Sequence, residues 1–144
     1  LPLTSGYVDQ LVQIMNGTMG RCVLARLKPN GTVYPHADDG LYWLLRDRYH
    51  LALKSVNGSR FKVGGEEVLM REGELWWFDP TATHEAFNES DEDRVHVIFD
   101  VISAHSMKTF GQRVLRHPLR VLRAFFNAGV RRLAFPFRQG SASV

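Results

Sequence analysis

Arg48-Tyr-His-Leu-Ala-Leu-Lys-Ser-Val-Asn-Gly58 is the passage on which the fold turns. Tyr49, Leu51 and Leu53 alternate with Arg48, His50 and Lys54, the period-two pattern of a strand, and Asn57-Gly58 is a dipeptide that hairpin turns favour. Downstream the same grammar repeats: residues 61–63 and 66–70 flank Gly64-Gly65, Arg71-Glu-Gly73 turns the chain into Glu74-Leu-Trp-Trp-Phe78, and strands follow at 84–87 and 94–102. Upstream, residues 22–27 read as a strand closed by Lys28-Pro-Asn-Gly31, and 32–38 as the next, broken by Asp38-Asp-Gly40. About eight short strands spaced by roughly 8–12 residues predict an all-β sandwich or barrel. The helices that a doubly wound α/β fold needs between its strands are missing.

A chain of 144 residues is one domain by length, with a core barrel expected over about 20–103. Val8, Leu11, Val12 and Met15 recur at helical spacing before Gly17, so a short amphipathic helix precedes the barrel. Charge divides the chain: residues 1–100 hold 10 Lys/Arg against 15 Asp/Glu, whereas 101–144 hold 8 Lys/Arg and no acid. In that basic tail, about 107–138, Leu119, Leu122, Phe126, Gly129 and Leu133 recur at steps of three and four and Pro136 stops the run. Such a helix suits packing on the barrel or forming a homodimer; contact with nucleic acid or a membrane surface is the alternative.

The single cysteine, Cys22, expected in the core, excludes an internal disulfide and a Cys-rich zinc site, and fits a reducing, cytoplasmic setting. Histidine and carboxylate remain as metal ligands. No apolar run is long enough to span a bilayer, and the first residues lack the basic and long apolar regions of a signal peptide. With no Met at position 1, an upstream segment is left open.

Candidate chemistry clusters in two passages. In Val33-Tyr-Pro-His-Ala-Asp38, His36 and Asp38 lie two residues apart and share a strand face, with Tyr34 of the same parity bordering them. His84, after the turn-like Asp79-Pro80, supplies a third ligand from another strand. Two imidazoles and one carboxylate on one side of a metal, the other side open, are the ligand set of non-haem Fe(II) oxygenases. Asp38 beside Asp39-Gly40 is equally a turn-forming carboxylate. Arg94 enters a strand otherwise rich in Val, Ile and Phe, where a guanidinium is costly without a carboxylate; a bound dicarboxylate would partner it, or Asp91, Asp93 or Asp100 would. Arg48 and His50 share a face and add donors. Of Trp76 and Trp77, at most one lines a pocket, and both are expected to pack in the core. His96 has the parity of Arg94, the run Glu89-Ser-Asp-Glu-Asp93 reads as a solvated loop, and Gly64-Gly65 is a turn rather than a phosphate loop.

Taken in order, His36-Ala-Asp38, Arg48-Tyr-His-Leu-Ala-Leu53, Glu72-Gly-Glu-Leu-Trp-Trp-Phe-Asp79, His84-Glu85 and Arg94-Val-His-Val-Ile-Phe-Asp100 resemble the successive motifs of the aspartyl/asparaginyl β-hydroxylase family of Fe(II)- and 2-oxoglutarate-dependent dioxygenases. The resemblance covers about residues 25–101. It implies a double-stranded β-helix (jelly-roll, cupin-like barrel), iron at His36, Asp38 and His84, and 2-oxoglutarate held through its distal carboxylate by Arg94 with Arg48 and His50 assisting. It also implies oxygen as co-substrate and hydroxylation of a C–H bond in an amino-acid, peptide or protein substrate. The animal enzyme that names the family has glycine where this chain has Asp38, so the resemblance implies that the ordinary three-residue triad is retained here. Substrate identity does not carry across, because related members act on free amino acids and other small or modified substrates as well as on proteins. Two rivals stand beside this expectation: a cupin-like metalloenzyme that does not use 2-oxoglutarate, and a non-catalytic barrel presenting the basic helix to nucleic acid or a membrane.

Overall fold

Eight strands form two four-stranded antiparallel sheets in a computed structural model that describes residues 2–116 and 118–119. They are β1 (Thr18–Leu27), β2 (Thr32–His36), β3 (Asp47–Lys54), β4 (Ser59–Val63), β5 (Glu66–Val68), β6 (Leu75–Phe78), β7 (His84–Asn88) and β8 (Arg94–Ile102). One sheet runs β1-β8-β3-β6 and the other β2-β7-β4-β5, so the chain passes repeatedly from one sheet to the other. That order is the jelly-roll wrapping of a double-stranded β-helix. Helix α1 (Pro2–Ile14) precedes the barrel, α2 (Leu41–Leu44) links β2 to β3, and α3 (Ala104–Arg116) follows β8. Among the described residues, no helix is long and apolar enough to cross a membrane.

Period two explains an apparent oddity of β8. Its valines and phenylalanine do not fill the barrel: Val97, Phe99 and Val101 point outward, where they pack with Leu51 of β3 against Val8 and Val12 of α1. Each such buried valine contributes about 1.5–3 kcal/mol. The alternate residues Arg94, His96 and Ile98 face inward and line the internal cavity. The apolar helical spacing at the N-terminus therefore serves to roof this outer face. Helix α1 ends with Asn16 at φ 47° and with Gly17 N–H bonded to the Val12 carbonyl at 3.0 Å, a left-handed cap. Gly17 is also needed for close approach, since a Cβ there would sit 2.3 Å from Val101 Cγ1.

Ala52, Phe61, Met70, Phe78 and Ala86 make a second apolar cluster, with Trp76 packed against it and Phe61 and Ala86 lining the cavity. Trp77 points the other way and is 41% exposed, beside the His105 ring, so only one of the two tryptophans joins the core. Cys22 is exposed as well, because β1 is an edge strand with almost every residue in solvent. Two expectations of core packing are thus corrected by sheet position, which alternation does not reveal. Leu119, the first residue of the expected tail stripe, is 80% exposed, and the rest of that stripe lies outside the described residues.

Candidate metal centre and cavity

His36 and His84 are direct cross-strand partners on β2 and β7, with ring centroids 4.2 Å apart. Strand β2 carries a β-bulge between Val33 and His36, spanning Pro35, a residue that cannot donate to a sheet ladder. The extra residue shifts parity, so Val33 and His36 both line the cavity while Tyr34 is 79% exposed. Tyr34 contributes its backbone instead: its carbonyl oxygen lies 2.8 Å from His36 Nδ1. His84 Nδ1 lies 2.9 Å from the Ala82 carbonyl in the same manner. A ring that donates from Nδ1 to a carbonyl presents the Nε2 lone pair, the form in which histidine binds a metal.

Asp38 lies just past the end of β2, held by its N–H to the Pro80 carbonyl at 2.9 Å. One ligand atom from each of His36, Asp38 and His84 lies within 4.8 Å of the others, close enough that the three could hold one ion. The donor set fits a first-row divalent cation of the kind bound by a two-histidine, one-carboxylate facial triad. Burial holds the His84 imidazole below its ordinary value and neighbouring His36 acts the same way, while the Ala82 carbonyl and Asp38 oppose them. A neutral imidazole is the ligand form.

Arg48 is more committed than its alternation suggests. Its Nη1 donates to Asp38 Oδ2 at 2.8 Å, its Nε donates to Asp100 Oδ1 at 2.9 Å, and the Trp43 ring lies 4.1 Å from its guanidinium carbon. Arg48 therefore orients the candidate carboxylate ligand, and Asp100, which lies on the inward parity of β8, is its partner rather than that of Arg94. Trp43 sits on α2, a four-residue helix too short to leave a periodic trace in the sequence. Asp100 was legible by the same parity rule that singled out Arg94 and His96.

Beyond the triad the cavity continues to His50, Arg94 and His96, with a volume of about 160 Å³. That is room for on the order of ten water molecules. Arg94 is 8% exposed, and no carboxylate among the described residues pairs with it. Its Nε donates to His96 Nε2 at 3.0 Å, and Nη2 lies 3.0 Å from Nδ1 of the same ring. A neutral imidazole offers one ring lone pair, so only one of these contacts is a hydrogen bond. Burial pushes Arg94 down to about 10. His50 Nδ1 is buried without a partner among the described residues.

Burial, then the adjacent Arg94 charge, pushes His96 down to about 3, and burial, followed by His96 and Arg94, drives His50 well below its ordinary value. Both rings stay neutral inside the barrel at neutral pH. In the unfolded chain a histidine binds its proton near 6.5, so from there down to about 3 the unfolded state binds more protons at His96 than the native state does. Stability should fall with acidification across that window, by at most about 1.4 kcal/mol per pH unit per histidine. Urea unfolding midpoints measured from pH 7 to 5 should decline less steeply in His96→Gln than in the wild type; equal slopes would show that His96 is not held neutral.

A family model described as aspartyl/asparaginyl beta-hydroxylase matches residues 1–104. Over 89 residues the chain is 36% identical to aspartate beta-hydroxylase domain-containing protein 2 of Mus musculus, a match covering 61% of this chain and 25% of that protein. The Homo sapiens counterpart gives 36% identity over 89 residues, covering 61% of this chain and 23% of that protein. The chain thus matches about a quarter of the length of these curated relatives. Among solved structures, a non-heme monooxygenase in a ThoJ–nickel complex superposes with a TM-score of 0.53 at 14% identity, covering 67% of this chain and 49% of that chain. At that identity the likeness is one of fold.

Proposed function

We propose, from the premise that this chain belongs to the aspartyl/asparaginyl β-hydroxylase family, that it is an Fe(II)- and 2-oxoglutarate-dependent dioxygenase hydroxylating a C–H bond of an amino-acid, peptide or protein substrate. The observation that carries this reading is Arg94: a buried guanidinium with no carboxylate partner among the described residues, lining the same cavity as His36 and His84. An enclosed charge of this kind is costly unless a ligand anion completes it. A dicarboxylate that reaches the metal with one end and Arg94 with the other satisfies both requirements.

His36, Asp38 and His84 would hold iron, and the chemistry iron supplies when bound is activation of oxygen for insertion into a C–H bond, coupled to decarboxylation of 2-oxoglutarate to succinate. The chain's own residues supply placement. The Tyr34 and Ala82 carbonyls fix both imidazole tautomers, and Arg48 holds Asp38 through Oδ2, so that this carboxylate would be oriented as a ligand. Arg94 binds the distal carboxylate with its planar pair of donors. His50 and His96, held neutral by burial, line the wall without adding charge that would compete with the metal. Phe61, Phe78 and Ala86 give the site a buried apolar side, a role the protein plays while the cofactor carries the oxidation.

The test is release of succinate from 2-oxoglutarate, followed by mass spectrometry of candidate amino acids, peptides and small acids for gain of one oxygen atom. Succinate should appear only with both Fe(II) and oxygen. Metal-dependent turnover of a substrate with no requirement for 2-oxoglutarate would overturn the reading in favour of another cupin-type metalloenzyme.

A further inference from the structure

We propose that Arg113, on helix α3 beyond the residues matched to the family, is a positioning residue for the metal ligands, so that this helix is a working part of the site. The inference rests on the metal reading above. Arg113 is 1% exposed and makes five hydrogen bonds in two directions.

In the first direction, Nε donates to Asp79 Oδ1 at 2.9 Å. That oxygen also accepts the Thr81 N–H at 3.0 Å and the Thr81 hydroxyl at 2.8 Å, and the Asp79 carbonyl accepts the Ala82 N–H at 3.0 Å, which closes the loop of residues 79–82 on itself. This one loop supplies the Pro80 carbonyl that receives the Asp38 N–H and the Ala82 carbonyl that faces His84 Nδ1. Two of the three metal ligands are therefore oriented by a loop whose carboxylate Arg113 pins.

In the second direction, Nη1 donates to the carbonyls of Arg46 at 2.9 Å, Leu44 at 3.2 Å and Trp43 at 3.4 Å, and Nη2 donates to Asp47 Oδ1 at 3.0 Å. These residues lead directly into Arg48, which holds Asp38 Oδ2, and include Trp43, whose ring covers Arg48. Both routes converge on the ligands.

Helix α3 also docks through contacts that do not involve this arginine. Phe110 and Val114 pack on Leu44, and Asp47 keeps Thr109 Oγ1 at 3.0 Å and His105 Nδ1 at 2.6 Å as partners when the guanidinium is removed. The fan of donors reaches a loop that the apolar contact does not include, which separates holding the helix from setting the ligands.

The test is anaerobic titration with Co(II), read by its visible ligand-field absorption, at a temperature where far-ultraviolet circular dichroism is native. Arg113→Gln should bind Co(II) about 10-fold more weakly, the lower end of the cost of losing a group bonded directly to a metal ligand, since Arg113 acts through the 79–82 loop and Arg48, with altered band intensity. Arg113→Lys, which keeps the charge but cannot serve both directions, should recover only part of the affinity. Phe110→Ala, which loosens the same helix through its apolar contact, should lower the melting temperature and leave Co(II) affinity unchanged. Wild-type affinity in Arg113→Gln would overturn the inference, as would Phe110→Ala weakening Co(II) equally for an equal loss of melting temperature. If Arg113→Gln does not fold, the Lys variant decides in the same way. No Co(II) binding by the wild type would instead sink the metal reading beneath it.

Discussion

His84→Ala is expected to abolish saturable binding of Fe(II) or Co(II) while leaving the barrel folded. The ring is buried, its Nδ1 is committed to the Ala82 carbonyl, and it directly faces His36 across the β2–β7 pairing. Its loss leaves one imidazole on an exposed edge strand and one carboxylate already shared with Arg48, a two-donor set in place of three. The drop in affinity should exceed the roughly 10–100-fold seen when only a partner behind a ligand is removed. Strand β7 keeps its backbone pairing to β2 and β4, so the damage to the fold is confined to a small gap beside Phe61 and Phe78. Isothermal titration with metal under nitrogen, with circular dichroism as the control for folding, checks this. Affinity equal to the wild type would remove His84 from the ligand set.

Arg94→Met should move stability and binding in opposite directions. In the ligand-free protein the guanidinium is buried without a carboxylate, and burial alone pulls its proton affinity down to about 10, which marks an energetic cost carried by the folded state. Methionine fills the space of the stem, brings no charge, and leaves the neutral His96 ring short of one donor. The melting temperature of the ligand-free variant should therefore rise. Affinity for 2-oxoglutarate should fall by the about 2–5 kcal/mol typical of losing one side of a buried, hydrogen-bonded charge pair, on the order of 30-fold or more, with metal affinity unchanged. Thermal stabilisation by added 2-oxoglutarate, expected in the wild type by mass action, should be much smaller in the variant at the same concentration. A lower melting temperature with undiminished 2-oxoglutarate binding would mean that Arg94 is structural.

The barrel was legible because its signals are local. The alternation of residues 48–54, Asn57-Gly58 and Gly64-Gly65 each report on a few neighbours, and every expected strand has a counterpart. Parity also found the inward set Arg48, His50, Arg94 and His96. It failed where a bulge resets the count: Pro35 was the available sign, and the bulge sends the Tyr34 side chain into solvent while leaving the exposed His36 at the cavity wall. Pairing partners were harder still. Arg48 meets Asp100 across 52 residues, and nothing in either segment names the other.

Position within a sheet was hidden for the same reason. Cys22 and Trp77 are apolar residues in strand-like runs, and only the sheet order, with β1 and β6 at its edges, places them in solvent. Arg113 was not singled out at all: nothing distinguishes it among the eight cations of a tail without acids, and its partners Asp47 and Asp79 lie in the preceding barrel. Charge asymmetry between segments of a chain can mark an internal docking surface as readily as an external partner.

Crystals grown under nitrogen with Fe(II), measured on both sides of the iron absorption edge, put the shared-ligand arrangement to the most direct trial. A single anomalous peak should lie in the barrel within bonding distance of His36, Asp38 and His84. Iron elsewhere on the protein, or none at these three side chains with the metal in excess, would contradict it.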